Sequence, residues 1–256
     1  NTEKICKTYA FNDKRIRYIK QSVNLGIFGN LEFVLSKAVG RYFMWSAADD
    51  LRSKDFLEVN FNFLEKNQKY VASTSPNCYE ERKGIATELI NFSIEGNLGQ
   101  RIESFINNCW QSHGIIYSLI RTDILKQYPY HGEICLGGDW KINIYLLSKG
   151  SIHRSEKGLM TSGAFGVSSS KNAWSPFRTN IICWIFPLYD FSFYSLRLTS
   201  QERLTWRIKL IVKLLKLNFY AMFDQAIAEL YIIYSTHIRH YIKKNESQTV
   251  KRKHGK

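Results

Sequence analysis

Asp49 and Asp50 stand side by side at the end of the run Arg41-Tyr42-Phe43-Met44-Trp45-Ser46-Ala47-Ala48. The run follows a glycine, is short and is rich in aromatics, so it predicts a buried strand. In an open α/β sheet the carboxyl end of a strand faces the ligand crevice, where two carboxylates can hold a divalent cation against a phosphorylated ligand. Paired aspartates also open helices, and Asp50-Leu51-Arg52-Ser53 reads as well as the loop and cap before one. A third acid, Asp139, follows Gly137-Gly138 and precedes a periodic apolar run of Ile142, Ile144, Tyr145, Leu146 and Leu147 that Gly150 ends. At such a helix start a carboxylate meets free amides and the positive end of the dipole, so a capping role is the plain alternative to chemistry.

The elements that would position the acid pair lie just upstream. Residues 15–20 alternate as a strand does; Asn24-Leu25-Gly26 and Gly29-Asn30 form a loop; residues 31–39 are periodic as a helix and end at Gly40. The order is strand, Gly/Asn loop, helix, glycine, strand, Asp-Asp. This order resembles the family 2 glycosyltransferases, with their R-I-x-Y, N-x-G, helix-opening Asn, A-x-G-x-Y and Asp-rich motifs, over roughly positions 9–67. Many members carry D-x-D-D; here Ala47-Ala48 precede the pair, the alanine form, and the first acid is absent.

The resemblance implies a GT-A type fold, a Rossmann-like mixed sheet flanked by helices, missing its first strands and followed by a C-terminal helical extension. It implies transfer of a sugar from a nucleotide-sugar donor to a glycan or lipid-linked acceptor, with inversion and with Mg2+ or Mn2+ as cofactor. By the same resemblance Asp50 is the metal ligand, Asp49 shares the metal and the ribose or diphosphate side, and Asn24, Gly26 and Asn30 line the nucleotide. Asp139 is the general base, which must stay ionised and within hydrogen-bond reach of the acceptor hydroxyl. The family's earlier strands would precede residues 2–10, which predict a helix with a Thr cap, so the chain is expected to be N-terminally incomplete.

Elsewhere the pattern predicts a helix over 53–67, a strand over 70–74, a variable polar stretch over 76–99, a strand over 113–121 and a helix from Thr122. His113 could meet an acceptor, although a lone His at a strand start is more often structural. Residues 1–175 are expected to form the catalytic domain, 176–242 an aromatic-rich helical extension and 243–256 a basic disordered tail.

The chain of 256 residues, 45% hydrophobic and 14% aromatic, can bury a substantial core. Its net charge of +14 is concentrated at the end: from Arg197 to Lys256 there are 13 Lys or Arg against 4 Asp or Glu. Within residues 201–223, Glu202, Thr205, Lys209, Lys213 and Lys216 fall on one helical stripe, with Leu204, Ile208, Ile211, Leu215 and Met222 largely opposite. Such a helix either lies on an anionic membrane with its apolar face inward or packs on the domain with a solvated lysine stripe. No segment is long and apolar enough to span a bilayer. Five cysteines in no C-x-x-C spacing, no signal peptide and no P-loop or G-x-S-x-G motif point to a cytoplasmic setting and away from zinc, disulfide or serine-hydrolase chemistry. The rival readings are a non-catalytic membrane-surface or nucleic-acid binding module and a degenerate transferase that only binds sugar nucleotide. Nucleic acid is not the expected partner, because acids in a groove repel phosphate.

Overall fold

The computed structural model describes residues 1–80, 86–89, 91–110, 114–130, 136–163 and 177–253, so His113 and Cys135 lie outside the described residues. The chain starts with α1 (Thr2–Asn12) and reaches α2 (Gly26–Ser36) through an irregular stretch. The strand predicted over 15–20 does not form, because a strand needs a neighbour and none among the described residues pairs with it. Side chains hold this stretch instead: Arg17 donates to the carbonyl of Lys37 at 2.8 Å and Lys20 pairs with Glu3 at 2.8 Å. The helix predicted over 31–39 begins earlier, since Asn24 Oδ1 accepts from the Gly26 amide at 2.9 Å and turns the chain into α2. Asn30 therefore lies inside α2 and does not open it.

Next come β1 (Tyr42–Phe43), β2 (Leu51–Arg52), α3 (Phe56–Lys66), β3 (Tyr70–Thr74), β4 (Asn77–Glu80) and β5 (Ala86–Leu89). They are followed by α4 (Leu98–Asn108), β6 (Leu119–Arg121), α5 (Thr122–Leu125), α6 (Gly138–Lys149), β7 (Ser151–Arg154) and β8 (Met160–Ser162). One sheet has the order β1-β6-β3-β7, antiparallel except for the parallel β3-β7 pair, with Ala72 opposite both Ile120 and Ile152. Every residue of β3 is buried, as expected of a central strand covered on both faces. On one face Val71, Ile120 and Ile152 join Ile102 and Phe105 of α4 and Ile142 and Leu146 of α6 in the main core. On the other, Leu64 of α3 packs with Tyr70 and Leu119. The result is a mixed α/β fold with sheets flanked by helices.

Two predicted strands are shorter than expected. β1 stops at Phe43 and β6 occupies only the end of the 113–121 stretch, because residues 114–118 turn, with the Tyr117 amide donating to Gly114 and Ser118 Oγ to Ile115. The polar stretch over 76–99 contains the β4-β5 hairpin and the start of α4, where Asn97 and Gln100 form a reciprocal capping box.

The C-terminal part consists of α7 (Ile181–Ile185), α8 (Tyr189–Leu198) and α9 (Leu204–Lys253). Among the described residues no helix is long and apolar enough to cross a membrane. Two expectations are corrected here. The backbone stays helical through Lys253 where an irregular tail was expected from 243, in keeping with the helix propensity of its Lys, Glu, Gln and Arg residues. The face of α9 that packs is that of Leu210, Leu214, Leu217 and Ala221, while Leu204, Ile208, Ile211 and Leu215 point outward and Lys213 turns inward to Glu103 at 2.5 Å. Helical periodicity marks an apolar face but not which of two such faces the domain will cover.

Candidate active site

The acid pair lies on the short turn between β1 and β2. A second sheet, β2-β8-β4-β5, holds it: Leu51 and Arg52 pair with Thr161 and Met160, and Ser53 exchanges hydrogen bonds with Leu159. This ladder brings Gly163, just past β8, onto the acids. Its amide donates to Asp50 Oδ1 at 3.4 Å, and a Cβ at this glycine would lie 2.7 Å from the Cβ, carbonyl oxygen and Oδ2 of Asp49. Only a residue without a side chain fits there.

Arg52 closes the turn from its other side. Its guanidinium donates to Ser46 Oγ at 2.7 Å and to the carbonyl of Trp45 at 3.1 Å, and it lies over the Phe56 ring. Burial raises the proton affinity of the Asp50 carboxyl, an effect opposed by the Gly163 amide and by the charge of Arg52. Asp50 Oδ2 is buried and has no hydrogen-bond partner among the described residues. A buried carboxylate oxygen left unsatisfied is costly unless a cation or a ligand completes it, so the donor chemistry here suits a hard divalent ion. Among the described residues no three His, Cys, Asp or Glu gather as a ready metal cage.

Asp139 occupies the first turn of α6, whose N-cap Gly137 takes φ 73°, a left-handed conformation suited to glycine. The residue is only partly exposed, and burial pushes the carboxyl's pKa above the ordinary carboxylate value, against the stabilising amides of Trp140 and of its own residue. Beside it are the Cys109 thiol, pushed up to about 12 mainly by burial and in part by the charge of Asp139, and the edge-on pair Trp110 and Trp140. A carboxyl whose proton affinity is raised is, once ionised, a stronger base than an ordinary carboxylate.

The link between the two acid sites is α2. Phe28, in its first turn, lies so close to Gly138 that a Cβ there would fall 2.2 Å from the ring. One turn on, the Leu31 carbonyl accepts from Trp45 Nε1 at 3.2 Å, on the segment that leads to Asp49 and Asp50. The Asn24-Gly26 turn enters this same helix. Asn30 is spent differently, since its Oδ1 accepts from Gln21 Nε2 at 2.8 Å and so pins the preceding loop. Among the described residues no hydrogen bond joins Asp139 to Asp49 or Asp50. Three contributors escaped the sequence reading: Arg52, visible only as a cation two residues past the pair, and Phe28 and Gly163, for which the sequence holds no signal. The concave face of α1, lined by Lys4 and Lys7, contains none of these residues.

Residues 1–128 match the model of the family described as glycosyl transferase family 2. The chain is similar to an uncharacterized glycosyltransferase of Methanocaldococcus jannaschii, 25% identical over 155 residues that cover 56% of this chain and 52% of the relative. It is also similar to an uncharacterized glycosyltransferase of Rickettsia felis, 26% identical over 184 residues that cover 71% of this chain and 29% of the relative. The aligned parts are thus about half of the first relative and under a third of the second.

Proposed function

Because the chain belongs to glycosyl transferase family 2, whose model matches half of its length, we propose that it moves a sugar from a nucleoside-diphosphate donor to a hydroxyl of a glycan or lipid-linked acceptor, with inversion at the anomeric carbon. The observation that carries this reading is the Asp50 carboxylate, held by the Gly163 amide near the charge of Arg52, with its second oxygen buried and unpartnered among the described residues. Mg2+ or Mn2+ held by Asp50, with Asp49 beside it, would supply charge neutralisation of the departing diphosphate. Diphosphate oxygens and water would complete the ligand set, as is usual for such cations.

The acceptor oxygen attacks the anomeric carbon as the bond from that carbon to the diphosphate breaks and its electron pair leaves with the diphosphate. Asp139 takes the proton of the acceptor hydroxyl. Its raised proton affinity suits it to this role, and the edge-on aromatic pair Trp110 and Trp140 beside it offers apolar ring surface to a sugar. The turn from Asn24 to Gly26 and the helix containing Asn30 stand on the nucleotide side. Binding both partners in attack geometry contributes several kcal/mol, on the order of 7 or more in well-oriented systems.

The test is thermal unfolding with and without Mn2+ plus UDP or GDP. A ligand at one hundred times its dissociation constant stabilises by about 2.7 kcal/mol, or roughly 5–10 °C for a chain of this size. Asp50→Asn should remove that shift, and Asp139→Asn should keep it while losing transfer. An equal shift in the Asp50 variant, or undiminished transfer by the Asp139 variant, refutes the corresponding assignment.

A further inference from the structure

The helix α9 has two apolar faces, and the described residues of the domain cover only one. Leu210, Leu214, Leu217 and Ala221 pack inward, at most 7% exposed. Ile208, Val212, Leu215, Phe219, Phe223 and Leu230 recur at helical spacing along another side and are 46–66% exposed. At 1.5 Å per residue this stripe runs for about 33 Å, far longer than the scattered apolar residues of an ordinary surface. On a neighbouring side of α9 Arg178 reaches Gln225 and Glu229, and α7 there exposes Ile181 and Trp184. The packing of α9 therefore does not account for the stripe.

Charge identifies what covers it. Exposed Lys209 and Lys216 border the stripe one helical repeat apart, and the chain from Arg197 onward has 13 basic against 4 acidic residues. Of the two acids between Leu204 and Tyr234, Glu229 is paired with Arg178. A second copy docked face to face would bring two such basic regions together. A surface that is apolar within and anionic at its boundary satisfies both features at once. We propose that this face of α9, with α7 beside it, docks the protein on an anionic lipid bilayer, the helix lying in the plane of the headgroups. The inference is independent of the sugar-transfer reading, since its test measures binding and not turnover.

The test is co-sedimentation of the full chain with phosphatidylcholine vesicles, with and without phosphatidylglycerol, at low and high salt. Binding to the anionic vesicles alone, weakened by salt, is expected. Lys209→Glu with Lys216→Glu should lower partitioning about tenfold or more, and Phe219→Ser with Phe223→Ser should do the same by removing apolar contact. All four side chains are solvent-exposed, so circular dichroism and melting should be unchanged. The charge variant keeps the apolar surface intact and so reads the proposal even if the serine variant misfolds. Failure of the wild type to bind either vesicle, or wild-type-like binding by both variants, overturns it. So does a solution dimer that falls apart in the serine variant without any vesicle binding, which would assign the stripe to a second copy.

Discussion

Gly138→Ala probes the contact on which the proposed geometry rests. Gly138 has no positive φ, so alanine fits its backbone, and as a helical residue it should gain up to about 1 kcal/mol from propensity. The new methyl, however, would lie 2.2 Å from Phe28 Cζ and 2.5 Å from Cε1. Ordinary carbon contacts are about 3.5–4.0 Å, so ring and helix must separate by about 1 Å or more. Overpacking of this kind costs about 1–3 kcal/mol, which leaves a net loss of roughly 0–2 kcal/mol. Removing the ring by Phe28→Ala should abolish the cost and leave the propensity gain. Urea denaturation of the wild type, the two single variants and the double variant should thus give a coupling of about 1–3 kcal/mol. Because α6 positions Asp139, Gly138→Ala should also slow transfer by up to about a hundredfold, with recovery in the double variant. Additivity to within about 0.5 kcal/mol would show that α2 and the start of α6 do not touch as described.

At Gly163 an added methyl meets the Asp49 carbonyl oxygen at 2.7 Å, and backbone cannot swing aside as a ring can. Gly163→Ala should therefore cost about 1–3 kcal/mol and lose the proposed Mn2+-dependent thermal shift; an unchanged shift would separate Gly163 from the proposed metal site. For Asp139 the sign of the pH effect follows from its raised pKa. The folded state holds the proton more tightly than the unfolded chain does, so this group favours folding below its unfolded value and that contribution is lost as pH rises through the folded value. Asp139→Asn should flatten this dependence and leave stability at neutral pH equal to or above that of the wild type, measured by urea titration across acid and neutral pH. A marked loss of stability at neutral pH would instead identify Asp139 as a helix cap.

Local chemistry made much of this protein legible from its residues. The buried strand over 70–74 was announced by an unbroken β-prone run, α5 began at the predicted Thr122, and the glycines at 137 and 138 placed Asp139 on the first turn of a helix. The order of Gly/Asn loop, helix, strand and acid pair was sufficient to recognise the family. Lengths were less legible, because β1 and β6 extend only as far as a neighbour supplies hydrogen bonds, and the pairing of Tyr42 with Arg121 is not written locally in either segment. The capping box of Asn97 and Gln100 was present in the sequence and marks α4, which the polar stretch around it concealed.

Residue types and their spacing along one element determined which groups could do chemistry: carboxylates after a strand, and an acid at a helix mouth. Only tertiary structure decided that Gly163, more than a hundred residues away, would close on Asp50, that Phe28 would abut Gly138, and which side of α9 would be covered. Backbone preference and periodicity are properties of neighbours in sequence, whereas clamping a carboxylate and burying one of two apolar faces depend on surfaces that meet only when distant segments pack.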